Sequence, residues 1–484
     1  MSSILDNKQN RIKCQKFTPR NIVENMLNMA GYSKNLSGKR ILEPSFGSGN
    51  ILALIVERYI QDSLARQIAP DAISQNISRD IYGIELDEKL YAECLYKLNA
   101  MISEYNLPTV DWSLFHGDAL KRNFDVLFDF IVGNPPYINY QDMDEENRAY
   151  IKASFSSCST GKFDYCYAFI EKSIGLLSDA GKLVQLVPEN IYKTVFGGKL
   201  RAMLRPHLVT VWEYPNQKMF GDAMTSSSLF LFDKACATET VEYQNVTEKT
   251  HVQIPRENLH GKWIFQQSSL PDESALRFGD LFHAFSAPAT LCNKAYVIPG
   301  DSPEKNRIEA DVLRPAASPR ACSLGKEEYI IFPYAYSDGT LQHYSAGEFR
   351  KKFPKATRHL NRFREQLKKR KSDRSAKWFE YGRSQALTRL NQKKLLFSTV
   401  ITKKVELYEL SAETAPYSGI VITVKNPQYT LEDAKKILES ARFLEYISAV
   451  GISVSGKSKR ISCKDVSDYK FPKEERHGET SICN

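Results

Sequence analysis

The chain has 484 residues, 42% of them hydrophobic, and a net charge of +9. That is enough apolar material for two or three cored domains, while no run of ~18 apolar residues is present to cross a membrane. The nine cysteines (14, 94, 158, 166, 236, 292, 322, 463, 483) contain no C-x-x-C pair, which argues against a zinc cluster or disulfide framework and for free thiols in a reducing cytoplasm.

The opening "MSSILDNKQNRIKCQKF" lacks the apolar core of a secretory signal. From there, helix-like and strand-like patterns alternate. A helical pattern near 20–30 precedes the short apolar run "RILE" (40–43), and a second helix is predicted near 48–61. "IYGIE" (81–85) and a helix over 88–106 follow, then "WSLFHGD" (112–118) and "FDFIVG" (128–133). A helix near 164–178, the strand "KLVQLVP" (182–188) and a helix near 197–206 lead to "VTVWEYP" (209–215) and "SSSLFLFDK" (226–234). Strands separated by helices predict an α/β fold with a mostly parallel sheet covered on both faces. The text turns polar between 235 and 260, which places a first domain over 1–240 and a second over 241–484. The second is expected to be mixed α+β, with a long basic helix at 347–372 and another helix at 430–446.

In open parallel sheets the ligand site lies beyond the carboxyl ends of the strands. After the first strand comes "LEPSFGSGN", with Glu43 and Pro44 followed by Gly47 and Gly49, which let backbone amides approach a ligand. Leu52 stands where a dinucleotide fingerprint needs its third glycine, and no G-K-[ST] is present, so neither a dinucleotide nor a P-loop reading holds. Glu85 ends the second strand, placed to accept the two hydroxyls of a ribose, and Asp118 ends the third, placed to accept from an adenine amino group. An acid before the glycine turn repels a pyrophosphate and tolerates a cation. A ligand with ribose, adenine and positive charge but no phosphate is S-adenosylmethionine.

The fourth strand ends in "GNPPYINY". Each proline lacks an N–H and forces its predecessor out of the α region, so Asn134 is held extended with its amide projecting past the strand. The Asn134 side-chain oxygen and the Pro135 carbonyl then form two preset acceptors, with Pro136 stiffening the corner and Tyr137 supplying a flat ring. Such a corner suits a planar group bearing an –NH2.

These residues resemble the amino-methylating DNA methyltransferases, in particular the γ-ordered N6-adenine group of type II restriction–modification systems. "KFTPR" (16–20) looks like the family's N-terminal cofactor motif, which implies Thr18 near the methionine carboxylate. "LEPSFGSG", "GIELD" and "HGDAL" are similar to its glycine, ribose and adenine-side motifs, although Ala119 stands where the family often has a larger apolar residue. "NPPY" is its catalytic tetrapeptide, and "GKFDYCYAFIEKSIGLLSDAGKLVQLVPENIY" resembles the segment that follows. "FGGKLRAML" looks like the segment supplying an aromatic ring against an extrahelical base, here Phe196, with Tyr192 a rival for that role. The resemblance covers roughly residues 11–233. It implies a Rossmann-like S-adenosylmethionine-dependent methyltransferase sheet, methylation of N6 of a flipped-out adenine in double-stranded DNA, and a cognate restriction endonuclease as genetic partner. A monomer without a metal is expected.

Charge divides unevenly. Residues 1–240 carry 26 Lys+Arg against 28 Asp+Glu, residues 241–484 carry 40 against 29, and residues 351–400 alone carry 16 against 3. In that basic block the charges alternate with Phe353, Phe363, Trp378, Phe379 and Tyr381, a pattern expected of a polyanion-binding surface packed onto a fold. Lys368, Lys369, Arg370 and Lys371 form its densest run, and Arg383 and Arg389 lie in "WFEYGRSQALTRLNQKKLLFS", which is similar to the family's target-recognition regions. Enzymes that methylate RNA or a protein glutamine also use N-P-P-[YF] but lack a basic domain after the sheet. A fused nuclease finds no room in the sixteen residues before "FTP". A non-catalytic DNA-specificity protein has no use for an intact Glu85, Asp118 and NPPY.

Overall fold

The structure, a computed structural model, describes residues 18–220, 223–236, 238–265 and 275–472. The opening segment with Cys14, Lys16 and Phe17, and the end with Cys483, lie outside the described residues. The chain divides into two compact units, Met1–Phe265 and Gln266–Asn484.

The first unit holds β1 (Ile41–Glu43), β2 (Ile81–Glu85), β3 (Ser113–His116), β4 (Phe128–Gly133), β5 (Leu177–Pro188), β6 (Leu208–Phe220), β7 (Ala223–Asp233), β8 (Thr240–Asn245) and β9 (Thr250–Pro255). They form one sheet in the order β3-β2-β1-β4-β5-β7-β6-β8-β9. The first five run parallel, with Ile41 opposite both Ile81 and Phe130. Strand β7 enters antiparallel between β5 and β6. Strand order reverses between β1 and β4, so the two strand ends at that switch point flank a crevice.

Side-chain alternation explains why both faces are covered. Leu42, Ile131 and Leu183 point into one hydrophobic core, whereas their neighbours Ile41, Val132 and Val184 point into the other. With successive Cβ atoms on opposite faces, an all-apolar strand needs helices on both sides. On the second face α1 (Arg20–Ala30) buries Ile22, Val23, Met26, Leu27 and Ala30, a helical stripe that ends at Gly31 with φ 76°. The helices α2 (Asn50–Ala65), α3 (Pro70–Asp80) and α4 (Glu88–Glu104) follow on that side. On the first face α5 (Glu145–Ser154), α6 (Cys166–Leu176) and α7 (Gly198–Leu204) cover the sheet. Strands β8 and β9 carry the sheet past residue 240, because Val241, Tyr243 and Asn245 alternate inward from a segment whose composition reads as polar loop.

The second unit is a mixture of small sheets and short helices. The expected single helix over 347–372 is three: Ala346–Lys352, Pro354–Asn361 and Arg364–Lys368. Pro354 cannot donate into a preceding turn and pushes Phe353 to φ −129°, ψ 65°, which ends the first piece. The expected helix over 430–446 is likewise two, Leu431–Glu439 and Ala441–Val450, divided at Ser440, whose side chain caps the second by accepting from the Phe443 amide. Phe353, Phe379 and Tyr381 are buried in this unit's core, with Phe363 and Trp378 packed at its edge, so the aromatics of the basic block anchor it while most of its charges face water.

Candidate active site

Beyond β1, β2, β3 and β4 lies a cavity of about 460 Å³. Thr18, Glu43, Pro44, Gly47, Glu85, Asp118, Asn134, Pro135, Pro136 and Tyr137 all line it. Of the residues predicted for cofactor or catalysis from those strand ends, Gly49 alone is not in its wall. Gly49 instead opens α2 with φ 84°, and a Cβ there would lie 2.3 Å from Cys94 Sγ, so only glycine makes this turn against α4.

Hydrogen bonds weld the four strand ends into one rim. Both Glu85 oxygens are engaged: Oε2 accepts from the Gly47 amide at 2.7 Å and Oε1 from the Asp87 amide at 2.8 Å. The Glu85 carboxylate therefore fixes the glycine turn of β1. Asp87 in turn caps α4 by accepting from the Lys89 and Leu90 amides at 3.0 and 3.2 Å. Asp118 Oδ1 accepts from the Leu120 amide at 2.9 Å and holds its own turn.

Glu43 is 1% exposed, and its Oε2 has no hydrogen-bond partner among the described residues. Burial, then the Glu85 charge, push its carboxyl well above the usual carboxylate range. A positive group placed beside that oxygen would favour the charged form and draw the carboxyl back down. Because its folded pKa exceeds the unfolded one, the stability Glu43 contributes is present in acid and lost as pH rises through the folded pKa. Glu43→Gln is therefore expected to raise Tm of the ligand-free protein at neutral and alkaline pH. Melting curves of both proteins from pH 5 to 9 check this, and equal curves would contradict it.

At the β4 corner the Asn134 amide is fixed from both sides. Its Nδ2 donates to Thr18 Oγ1 at 3.2 Å, and its Oδ1 accepts from the Tyr137 hydroxyl at 2.5 Å. Ser45 Oγ donates to the Asn134 backbone carbonyl at 3.2 Å, tying the corner to the glycine turn. The Tyr137 hydroxyl also lies 2.7 Å from the Leu186 carbonyl, and its single proton serves one of these two acceptors at a time. The side-chain oxygen of Asn134 is thus aimed, and a carbonyl oxygen has a second lone pair beyond the one that Tyr137 meets.

The loop after Tyr137 is tied down by Asp164. The Cys166 amide donates to Asp164 Oδ1 at 3.1 Å, the Tyr165 amide to the Ile138 carbonyl at 3.0 Å, and Asn139 bridges Asp164 in antiparallel fashion. Burial pushes the Asp164 carboxyl up to about 6, against backbone hydrogen bonds that lower it. The stability it contributes is present below about 3.8 and is lost as pH climbs to about 6. Asp164→Asn is expected to flatten Tm across that window, read by calorimetry in a pH series; an unaltered slope would assign the loss to another group.

The cavity wall contains residues that strand-end reasoning missed: Phe46, Leu90, Asp142, Asp144, Asn147, Tyr165 and Phe169. Tyr165 and Phe169, four apart at the start of α6, have ring centroids 5.4 Å apart, and that i, i+4 aromatic spacing in "DYCYAF" was the available signal. Ala119 lies in the wall and is buried, so only a small side chain occupies the cavity beside Asp118.

Phe196 and Tyr192 are separated by burial. Tyr192 is fully buried, stacks on Trp263 at 5.9 Å and accepts from Ser228 Oγ at 3.0 Å, so it belongs to the core. Phe196 is outside the cavity wall but 44% exposed, on a turn beside Gly161.

The basic run of the second unit is not uniform. Lys368, Lys369, Lys371, Arg383 and Arg389 are exposed, with Lys368 3.3 Å from Glu365 and Arg383 2.6 Å from Asp373. Arg370, expected among the DNA contacts, turns inward. Its guanidinium donates to the carbonyls of Thr290, Leu367, Trp378 and Glu380 and leaves little for an outside anion.

Residues 52–220 match the family described as Eco57I restriction-modification methylase. The type II methyltransferase M.BstVI of Geobacillus stearothermophilus is 29% identical over 195 residues, covering 38% of this chain and 35% of that protein. The type II restriction enzyme and methyltransferase RM.Eco57I of Escherichia coli is 22% identical, covering 90% of this chain and 54% of that one. The chain thus spans about a third to a half of the length of these relatives. The solved structure of the type IIL restriction-modification enzyme MmeI in complex with DNA superposes with a TM-score of 0.59 at 14% identity, over 93% of this chain and 64% of that one, which is a likeness of fold. Over residues 52–220 the chain is thus similar to the Eco57I restriction-modification methylases.

Proposed function

We propose that the protein is a site-specific DNA methyltransferase that uses S-adenosylmethionine to methylate N6 of an adenine turned out of duplex DNA, in the cytoplasm and as the protecting partner of a restriction endonuclease. One observation carries the reading: the acids and turns of β1, β2 and β3 and the Asn-Pro-Pro-Tyr corner of β4 line a single cavity. Its chemistry fits the cofactor. Glu43 offers a buried oxygen to a cation, Glu85 and Asp118 offer acceptors to hydroxyl and amino groups, and Phe46, Tyr165 and Phe169 offer aromatic wall. Thr18, Pro44 and Gly47 complete the rim, and Gly49 shapes the turn.

When bound, the cofactor supplies an electrophilic methyl group on a sulfonium. The chain's own task is to make an unreactive amine nucleophilic. The adenine N6 lone pair is delocalised into its ring. Asn134 Oδ1 and the Pro135 carbonyl accept the two amine hydrogens, draw the nitrogen toward a tetrahedral shape and stabilise positive charge as it develops. The Tyr137 ring stacks on the base, and its hydroxyl turns to the Leu186 carbonyl when the amine takes Asn134 Oδ1. Phe196 supplies a second ring. Such stacking offsets the few kcal/mol that extruding a paired base costs.

Lys368, Lys369, Lys371, Arg383 and Arg389 bind backbone phosphates. DNA from a host expressing the gene, read by single-molecule sequencing, tests this function. N6-methyladenine at one short sequence context is expected, and its absence would count against the proposal.

A further inference from the structure

The turn Val195–Gly197 presents an anomaly that the cavity does not absorb. Val195 is 74% exposed and Phe196 44%, two adjacent apolar side chains in water. A flexible loop would fold them inward, but this turn is held rigidly. Arg201, 4% exposed, donates to the carbonyls of Ile191 and Thr194 at 2.8 Å each and of Gly261 at 2.7 Å. Thr194 Oγ1 lies 2.7 Å from the Tyr167 hydroxyl. Behind the tip, the Phe196 ring lies so close over Gly161 that a Cβ there would be 2.0 Å from Cδ1.

Charge around the tip is basic. Lys162 and Lys199 are both exposed, and Lys199 reaches Ser159 Oγ at 2.6 Å. The tip is joined to the cavity wall by contacts: Phe196 packs on Gly161, Thr194 pairs with Tyr167, and the same segment's Tyr165, a wall residue, donates its amide to the carbonyl of Ile138, another wall residue. A rigid apolar point flanked by lysines matches duplex DNA: the lysines meet phosphates, and an apolar wedge enters between base steps.

We propose that Val195 is the wedge that fills the duplex where the target base leaves. This rests on the DNA-methylating function above. Removing the wedge raises the cost of opening a paired site but not of using a site already open.

The test uses full-length protein and two oligonucleotide duplexes carrying the sequence found methylated in the expressing host. In one the target adenine is paired, and in the other it faces an abasic position. Val195→Ala is expected to slow single-turnover methylation of the paired duplex by roughly tenfold and to match wild type within about twofold on the abasic one. Wild-type rates on the paired duplex, or equal slowing on both, would overturn the wedge; equal slowing would mark the tip as a general docking surface. Wild-type protein that methylates neither duplex overturns the methyltransferase function itself, an outcome distinct from failure of the variant alone.

Discussion

Asn134→Ala is expected to lower the rate of methyl transfer by about 10³-fold while leaving S-adenosylmethionine and DNA binding measurable. The size follows from the role: an aimed acceptor in a water-poor pocket is worth on the order of 10²–10³ in rate, and Asn134 Oδ1 is one of only two such acceptors proposed for the amine. Its aim depends on neighbours on both sides, Thr18 at 3.2 Å and Tyr137 at 2.5 Å, so truncation also frees the Tyr137 hydroxyl to settle on Leu186. The side chain is partly exposed and none of its bonds closes a core, so folding should survive. Calorimetry with the cofactor and single-turnover kinetics separate the two effects. Near-normal turnover would remove Asn134 from the mechanism.

Arg370→Ala should behave in the opposite way, damaging the fold of the second unit before it damages any contact with DNA. Removing the guanidinium leaves the Thr290 and Trp378 carbonyls without this donor, at about 1–3 kcal/mol for each group left buried and unpaired, while the Glu380 carbonyl keeps the Tyr296 hydroxyl. A loss of several kcal/mol on that scale is a large part of a domain's stability. Lys368, Lys369 and Lys371 are the contrast: reversing these three charges should leave Tm within a degree or two, weaken DNA binding and flatten its salt dependence. Melting curves beside a salt series of DNA affinities distinguish the two classes. An Arg370→Ala protein with wild-type Tm and weakened DNA binding would reinstate Arg370 as a phosphate contact.

The rim of the cavity was legible in the sequence because its information is local. Prolines, glycines and strand-end acids constrain the backbone within a few residues, and β2 and β4 fall on the runs read from the text. Other features depended on tertiary partners. Helix α3, "PDAISQNISRD", buries only Ile73 and Ile77 among its apolar side chains, and α5 buries only Ile151, too little periodicity to stand out from loop. Strands β8 and β9 alternate with period two, but their outward Glu242, Gln244 and Gln253 make the segment read as linker. Spacing could not choose between Phe196 and Tyr192, since the choice rests on Trp263, far along the chain. Nor does the run "KKRK" reveal which of its charges turns inward; the turn after the helix Arg364–Lys368 does.

The most direct measurement is nucleoside chromatography of DNA methylated in vitro by the purified protein with isotopically labelled S-adenosylmethionine. Label on N6-methyladenine alone is expected, reduced about 10³-fold for Asn134→Ala. Label on cytosine or on the polypeptide, or equal label with Asn134→Ala, would contradict the amine clamp at the end of β4.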